Sequence, residues 1–354
     1  MDITKFDKNF KLATVTETDV EWVDVREDNR LSLHGIYYKN GEYIRMPKEV
    51  GAAISPWIEE ISAYTTGGRL RFVADSPYVA IRCLGRRMDL MTHVSSLLSV
   101  GFSIYADGEL AGIYMPTVKQ IVGAKESIAF DGICRFETKK KRLIELYFPM
   151  YGGVHEISIG LQAGSVLKKA PEYAHKKPIV FYGSSITMGA CASRPGNDYT
   201  AHVCRWLDSD YINLGFSGGA KGENAIVEHL ASLDASVYVI DYDHNTPNLE
   251  HLEKTHYPLY EGIRKRWKDT PIVFTSKPDF ENGIDDNVIR REIIRKTYER
   301  AKASGDHNVY FIDGESLFGK EDRVACTVDK CHPNDLGFYR IAKTVYPVLK
   351  QILE

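Results

Sequence analysis

Through the first half of the chain, apolar residues come in short runs that alternate with polar ones or are rich in β-branched side chains. Leu70–Ala74, Tyr78–Leu84, Phe102–Ala106 and Ile157–Leu161 are the clearest, and Gly, Asp and Pro separate them. Such runs read as strands with one face buried. Asp75-Ser76-Pro77 and Ala106-Asp107-Gly108-Glu109 carry hairpin chemistry, because Asp-Gly tolerates the positive φ of a tight turn. Many short strands broken by turns predict an all-β sandwich of jelly-roll type over residues 1–169.

The pattern then changes. Residues 170–177 are polar, contain Pro171, and read as a linker. From 178 to 354, apolar runs at Ile179–Tyr182, Tyr211–Leu214, Val237–Ile240, Ile272–Thr275 and Val309–Ile312 alternate with helical patterns. The predicted helices are Tyr199–Leu207, Glu223–Leu233, Tyr257–Trp267, Val288–Ala303 and Asp335–Leu353. Repeated strand–helix alternation predicts an α/β domain, a three-layer α/β/α sandwich around a five-stranded parallel sheet. The loops that follow the strands should then share one rim.

Composition narrows the function classes. The 354 residues are 44% hydrophobic and 26% charged, with a formal charge of −3, which gives no global electrostatic pull toward nucleic acid or an anionic membrane. The densest basic run, Lys139-Lys140-Lys141-Arg142, reads as an exposed hairpin turn guarding an edge strand. No apolar run is long enough to span a membrane, and the charged first twelve residues lack the core of a signal peptide, so a cytoplasmic location is expected. Six scattered cysteines without paired CxxC spacing read as free thiols in a reducing compartment.

The carboxyl ends of the strands hold the chemistry. Gly183-Ser184-Ser185 follows the first, Gly215-Phe216-Ser217-Gly218-Gly219 the second, and Asp241-Tyr242-Asp243-His244-Asn245 the third. Asp329-Lys330-Cys331-His332 stands just before the last helix. A serine hydroxyl is a weak nucleophile near neutral pH and needs an imidazole to take its proton, which in turn needs a carboxylate to fix its tautomer. Asp329 and His332, three apart, can present that pair from one turn. A tetrahedral intermediate needs preorganised donors, which a glycine turn supplies through backbone N–H groups and an asparagine through its amide.

These four blocks, in this order, resemble the SGNH hydrolase superfamily, the GDSL esterases and lipases. The resemblance covers residue 178 to the C-terminus and implies a flavodoxin-like sheet. It assigns the nucleophile to Ser185, the base to His332 and its orienting carboxylate to Asp329. The oxyanion donors would be Gly218 and Asn245, together with the Ser185 N–H. Two positions depart from the family pattern: Ser184 stands where an Asp usually precedes the nucleophile, and Asp243-His244 precedes Asn245 where a glycine is common. The β-rich half is similar to the jelly-roll domain of two-domain carbohydrate esterases, including acetyl xylan esterase-like ones.

The expected activity is therefore a serine esterase that removes a short acyl group, acetyl first, from a carbohydrate or small polar alcohol, with no cofactor and no metal. A lipase, thioesterase or lysophospholipase, and a carbohydrate-binding protein with a degenerate hydrolase fold, remain as alternatives. Oligomeric state stays open. Several residues carry a plain reading beside a functional one. His244 reads as a loop histidine bonded to a backbone carbonyl. Asp241 and Asp243 could hold a cation but have no further spaced carboxylates. Cys191 and Cys331 read as packing residues, and the loop Ser193–Asp198 as a helix cap and pocket wall. Asp313 is a second candidate partner for His332. Trp22, Trp57, Tyr64 and Tyr78 suit sugar stacking or core packing equally.

Overall fold

The structure, a computed structural model, describes residues 3–7, 10–87, 91–278, 281 and 283–354. The N-terminal half is two antiparallel sheets. One is ordered Val20–Asp24, Val154–Gln162, Tyr78–Arg86, Ser127–Arg135. The other is ordered Leu167–Lys169, Arg69–Ala74, Arg142–Tyr147, Phe102–Ala106, Glu109–Tyr114, with Ser32–His34 sharing the outer edge of Arg69–Ala74. Leu70, Phe72, Ile104, Ile144 and Leu146 from the second sheet meet Val79, Ile81, Ile157 and Ile159 from the first in one core. The period-two pattern exists because each strand buries one face between the sheets.

Two turn expectations change. Asp107-Gly108 does close a hairpin, with both residues at positive φ and Ala106 opposite Glu109. Asp75-Ser76-Pro77 does not, because it carries the chain from one sheet to the other. The basic run 139–142 likewise crosses between sheets, and the strand it enters lies inside its sheet, paired on both sides. Arg142 is buried there with its guanidinium over Phe136 and donates to the carbonyls of Thr138 and Lys140. The run is a corner brace, not an edge guard.

The C-terminal half is the predicted α/β/α sandwich. Five parallel strands run in the order Ser209–Gly215, His175–Gly183, Val237–Asp241, Ile272–Thr275, Val309–Ile312, which is 2-1-3-4-5 in chain order. Strand His175–Gly183 starts before Pro178 because His175 already pairs with Ser209. Helices Tyr199–Leu207 and Asp335–Leu353 have the predicted bounds. The helix expected at 257 begins at Leu249, where the Asn248 side chain caps the His251 N–H at 2.8 Å, and Pro258 lies in its interior. A proline inside a helix reads as a boundary in sequence, yet here packing of Leu252, His256, Leu259 and Ile263 carries the helix through it. Among the described residues, no helix is long and apolar enough to cross a membrane.

The two halves share cores. Ile58 and Ile61, on the helix Pro56–Ser62, are 2% and 0% exposed and pack with Val180, Tyr182 and Leu214 of the parallel sheet. Tyr105, Tyr147, Met150 and Tyr151 pack similarly with Phe181, Met188 and Tyr199 on the opposite face of the sheet. Each fully buried isoleucine contributes about 1.5–3 kcal/mol. Burial on both faces of the sheet fixes the β-sandwich against the rim of the α/β domain.

Candidate active site

Parallel register sets the rim. Gly183 pairs with Gly215 on one side and Asp241 on the other, so the loops after three strands start side by side. A Cβ at Gly183 would stand 2.2 Å from the Asp241 carbonyl oxygen, so only glycine permits this approach. Ser184 donates its N–H to that carbonyl at 2.9 Å, and its Oγ accepts from Ile186 N at 3.1 Å. The residue that departs from the family pattern thus caps the short helix Ser185–Met188, work that an aspartate side chain could also do. Ser185 opens the helix at 7% exposure.

His332 Nε2 lies 2.9 Å from Ser185 Oγ, and His332 Nδ1 lies 2.7 Å from Asp329 Oδ2. The other Asp329 oxygen accepts from the backbone N–H of His332 at 2.7 Å and of Cys331 at 3.0 Å. Lys330, at φ +69°, makes that tight turn, and Val328 N donates to His332 O at 2.9 Å across its base. Burial alone would raise the Asp329 pKa, but the side-chain and backbone hydrogen bonds from His332 and the one from Cys331 outweigh it and hold the carboxyl at about 2. The carboxylate is therefore ionised across the working pH range, the state needed to face an imidazole N–H.

Gly218 has φ +68° and open space on its Cβ side, which leaves the turn uncovered. Asn245 Oδ1 accepts from Ala220 N at 3.2 Å, so its amide nitrogen is turned away from that bond and free to serve as a donor. Two buried polar groups tie these loops to the serine turn. Asn213 donates to Thr187 O at 2.7 Å and accepts from Gly215 N at 2.9 Å. Thr187 donates to Asp241 Oδ2 at 2.8 Å.

The N-terminal half supplies further walls. A cavity of about 430 Å³ is lined by Trp57, Glu60, Tyr64, Arg87, Met91, Tyr151 and Ser217. It borders the rim loops. Ser217 precedes Gly218, and Met91 is two residues from His93, whose ring lies 5.8 Å from that of His332 and whose Nε2 lies 3.7 Å from Asp329 Oδ2. Arg45 reaches across as well: its buried guanidinium donates to the carbonyls of Asn213 and Gly215, at 3.1 and 2.5 Å, and to Ile61 O. It clamps the strand end that leads into the glycine turn. Arg45, Trp57 and His93 carry no motif, and only Trp57 drew notice in the sequence, for its ring alone.

The remaining candidates separate cleanly. Asp313 faces Arg291 and Arg295, at 3.4 and 3.2 Å, so it is Asp329 that meets His332. His244 Nδ1 lies 3.3 Å from Asp243 Oδ1. One oxygen of Asp241 accepts from Thr187, and one of Asp243 from Lys277 N at 3.2 Å. In the loop 193–198, Asp198 caps Ala201 N as expected, and Arg194 donates to Tyr105 OH of the β-sandwich at 2.5 Å. Of the four aromatics, Trp57 and Tyr64 line the cavity. Tyr78 is buried in a small cluster of the β-sandwich, with Trp22 packed against it.

The profile of the GDSL-like lipase/acylhydrolase family matches residues 176–350. That of the GxDLY domain, the N-terminus of SGNH-hydro-type esterases, matches residues 20–167. No curated protein matches the chain. Among solved structures, a putative GDSL-like lipase from Bacteroides ovatus is 26% identical with a TM-score of 0.83, over 94% of this chain and 98% of that one. The salicylyl-acyltransferase SsfX3 of a tetracycline biosynthetic pathway is 21% identical with a TM-score of 0.77, over 95% of this chain and 98% of that one. The acetyl xylan esterase Est2A from the rumen bacterium Butyrivibrio proteoclasticus is 13% identical with a TM-score of 0.61, over 95% of this chain and 99% of that one. With both halves matched and the rim loops carrying the family's blocks in order, the chain is an SGNH/GDSL-type hydrolase, its catalytic domain a member of the GDSL-like lipase/acylhydrolase family behind a GxDLY domain.

Proposed function

We propose that this hydrolase is a serine esterase that removes a short acyl group, acetyl first, from a carbohydrate or similar polar alcohol. The observation that carries this reading is the chain of contacts Ser185 Oγ–His332 Nε2–His332 Nδ1–Asp329, at 2.9 and 2.7 Å. Ser185 attacks the ester carbonyl while His332 takes its proton at Nε2, and Asp329 stabilises the imidazolium at Nδ1. The tetrahedral oxyanion is met by the N–H groups of Ser185 and Gly218 and by the Asn245 amide. His332 returns the proton to the leaving alcohol, and water then clears the acyl-enzyme by the same route. The scheme needs no cofactor.

The lining of the cavity supports a polar alcohol. Rings of Trp57, Tyr64 and Tyr151 stand with the carboxylate of Glu60 and the guanidinium of Arg87, the mixture of stacking faces and hydrogen-bonding groups that sugar hydroxyls need and an alkyl chain does not. Six of the seven lining residues belong to the domain that the GxDLY profile matches.

The test is a chain-length series of p-nitrophenyl esters followed by acetylated xylo-oligosaccharides, with wild type, Ser185→Ala and His332→Ala, each checked by its thermal transition. Turnover should fall from acetate to octanoate, acetate should be released from the sugar, and each folded variant should lose about 10⁴-fold or more. Preference for long chains would make the protein a lipase. Sugar binding without turnover would make it a binding protein.

A further inference from the structure

We propose that His93, Cys191 and His332 form a site for a borderline-soft divalent cation, zinc foremost, and that a cation bound there switches the esterase off. The inhibitory half of this proposal rests on the reading of His332 as the general base; the binding half does not. The three residues come from different parts of the chain: the β-sandwich segment after Met91, the turn just past the Ser185 helix, and the Asp329–His332 turn. One ligand-type atom from each lies within 4.8 Å of the others. Imidazole nitrogen and thiolate sulfur are the ligands zinc prefers, at about 2.0–2.1 and 2.3 Å, so ligand atoms around it stand about 3.3–3.7 Å apart. The gap to close is about 1 Å, within reach of rotation about the side-chain bonds of His93, which is 45% exposed.

The backbone holds the other two ligands. Cys191 sits at φ +70° directly after the segment in which Gly189 ends the Ser185 helix and Ala190 N bonds to Ser185 O. Its thiol is therefore fixed relative to the serine turn. His332 is held by its bonds to Asp329. A carboxylate behind a ligating histidine orients the ring and raises its basicity, and Asp329 stands in that relation to His332, with His93 Nε2 3.7 Å from the same oxygen. Water completes a tetrahedron.

Inhibition follows from occupancy of the ring. His332 Nδ1 faces Asp329 and Nε2 faces Ser185. A cation on either nitrogen removes one of the two bonds through which the proton is moved. Binding forms one metal–sulfur and two metal–nitrogen bonds and breaks the Cys191 S–H bond, whose proton passes to solvent. No electrons are transferred.

The test titrates the metal-free full-length protein with zinc against a chromophoric chelator, and with cobalt while recording the thiolate-to-cobalt charge-transfer band. The same samples are assayed with p-nitrophenyl acetate. One equivalent should bind, with the charge-transfer band, and activity should fall at least tenfold and return with EDTA. His93→Ala and Cys191→Ala should each weaken binding by tenfold or more. In each, the ratio of activity without and with zinc should move toward one, whatever its basal rate. No tight equivalent, or one that survives both substitutions, overturns the site. Binding at this site that leaves turnover unchanged overturns the switch. A metal-free enzyme that turns nothing over while the binding results hold would sink the esterase reading and leave the cation site standing.

Discussion

Trp57 Nε1 donates to the carbonyl of Ser217 at 2.6 Å, so a residue of the N-terminal domain holds the peptide adjoining Gly218. The indole is still 47% exposed and lines the cavity beside that turn. One side chain thus braces the glycine turn proposed to hold the oxyanion and faces the space proposed for the alcohol. Trp57→Phe keeps a ring and loses the donor. A hydrogen bond of this kind is worth about 0.5–1.5 kcal/mol, so kcat on p-nitrophenyl acetate should fall about 2- to 13-fold. Trp57→Ala should add a rise in KM for acetylated sugars that the small nitrophenyl ester does not show. Equal losses on both substrates for Trp57→Ala would remove the indole from the sugar site.

Asp329→Asn should leave the turn folded, since an amide oxygen can still accept the N–H groups of Cys331 and His332, yet it removes the anion that faces Nδ1. Turnover should drop by about 10³–10⁴-fold. The carboxyl is held at about 2, below its ordinary value of 3.8. A depressed folded-state pKa contributes stability that is present above pH 3.8 and fades as pH falls through 2. Thermal scans from pH 5 down to 2 should therefore show wild type losing stability that the Asn variant never had. Parallel curves would contradict the shift.

Gly218→Ala and Gly183→Ala separate strain from collision. At Gly218 a Cβ meets nothing within 4 Å, but φ is +68°. The substitution should cost about 1–2 kcal/mol of stability, and activity should drop further if the turn relaxes and carries its N–H away. At Gly183 the Cβ would press on the Asp241 carbonyl at 2.2 Å, at the carboxyl end of a strand paired on both sides, and soluble folded protein should not be recovered. Expression and thermal midpoints check both.

Asn245→Asp keeps an acceptor for Ala220 N and loses the amide donor. Loss of one oxyanion donor costs about 10²–10³ in kcat, and that drop should appear with KM and the thermal midpoint little changed. An unchanged kcat would transfer the role to the backbone donors alone.

Much of this was legible in the chain because each catalytic block is local. Asp329 and His332 sit on one turn, Ser185 follows a buried strand, and the strand–helix alternation fixes which ends of the strands face together. A period of two or of 3.6 is visible in sequence since a strand or helix must bury one face, and the turn residues must suit their φ. What misled was equally local: Pro258 masked eight residues of helix, and Asp75-Ser76-Pro77 has the composition of a hairpin although it changes sheets. Turn chemistry sets how the backbone bends, not which sheet the next strand joins.

The tertiary structure alone decided what surrounds the serine. Arg45 against Asn213, Trp57 against Ser217 and His93 against Asp329 each join residues more than 150 positions apart. Such contacts leave no periodicity, because a buried guanidinium, an indole N–H and a loop imidazole find their partners only after two hydrophobic cores have docked the β-sandwich onto the rim. The sequence by itself determined the order of the candidate blocks and the two architectures. The pocket, its polar lining and the pairing of His93 with His332 exist only because burial of Ile58, Ile61, Tyr105 and Tyr151 holds the two domains together.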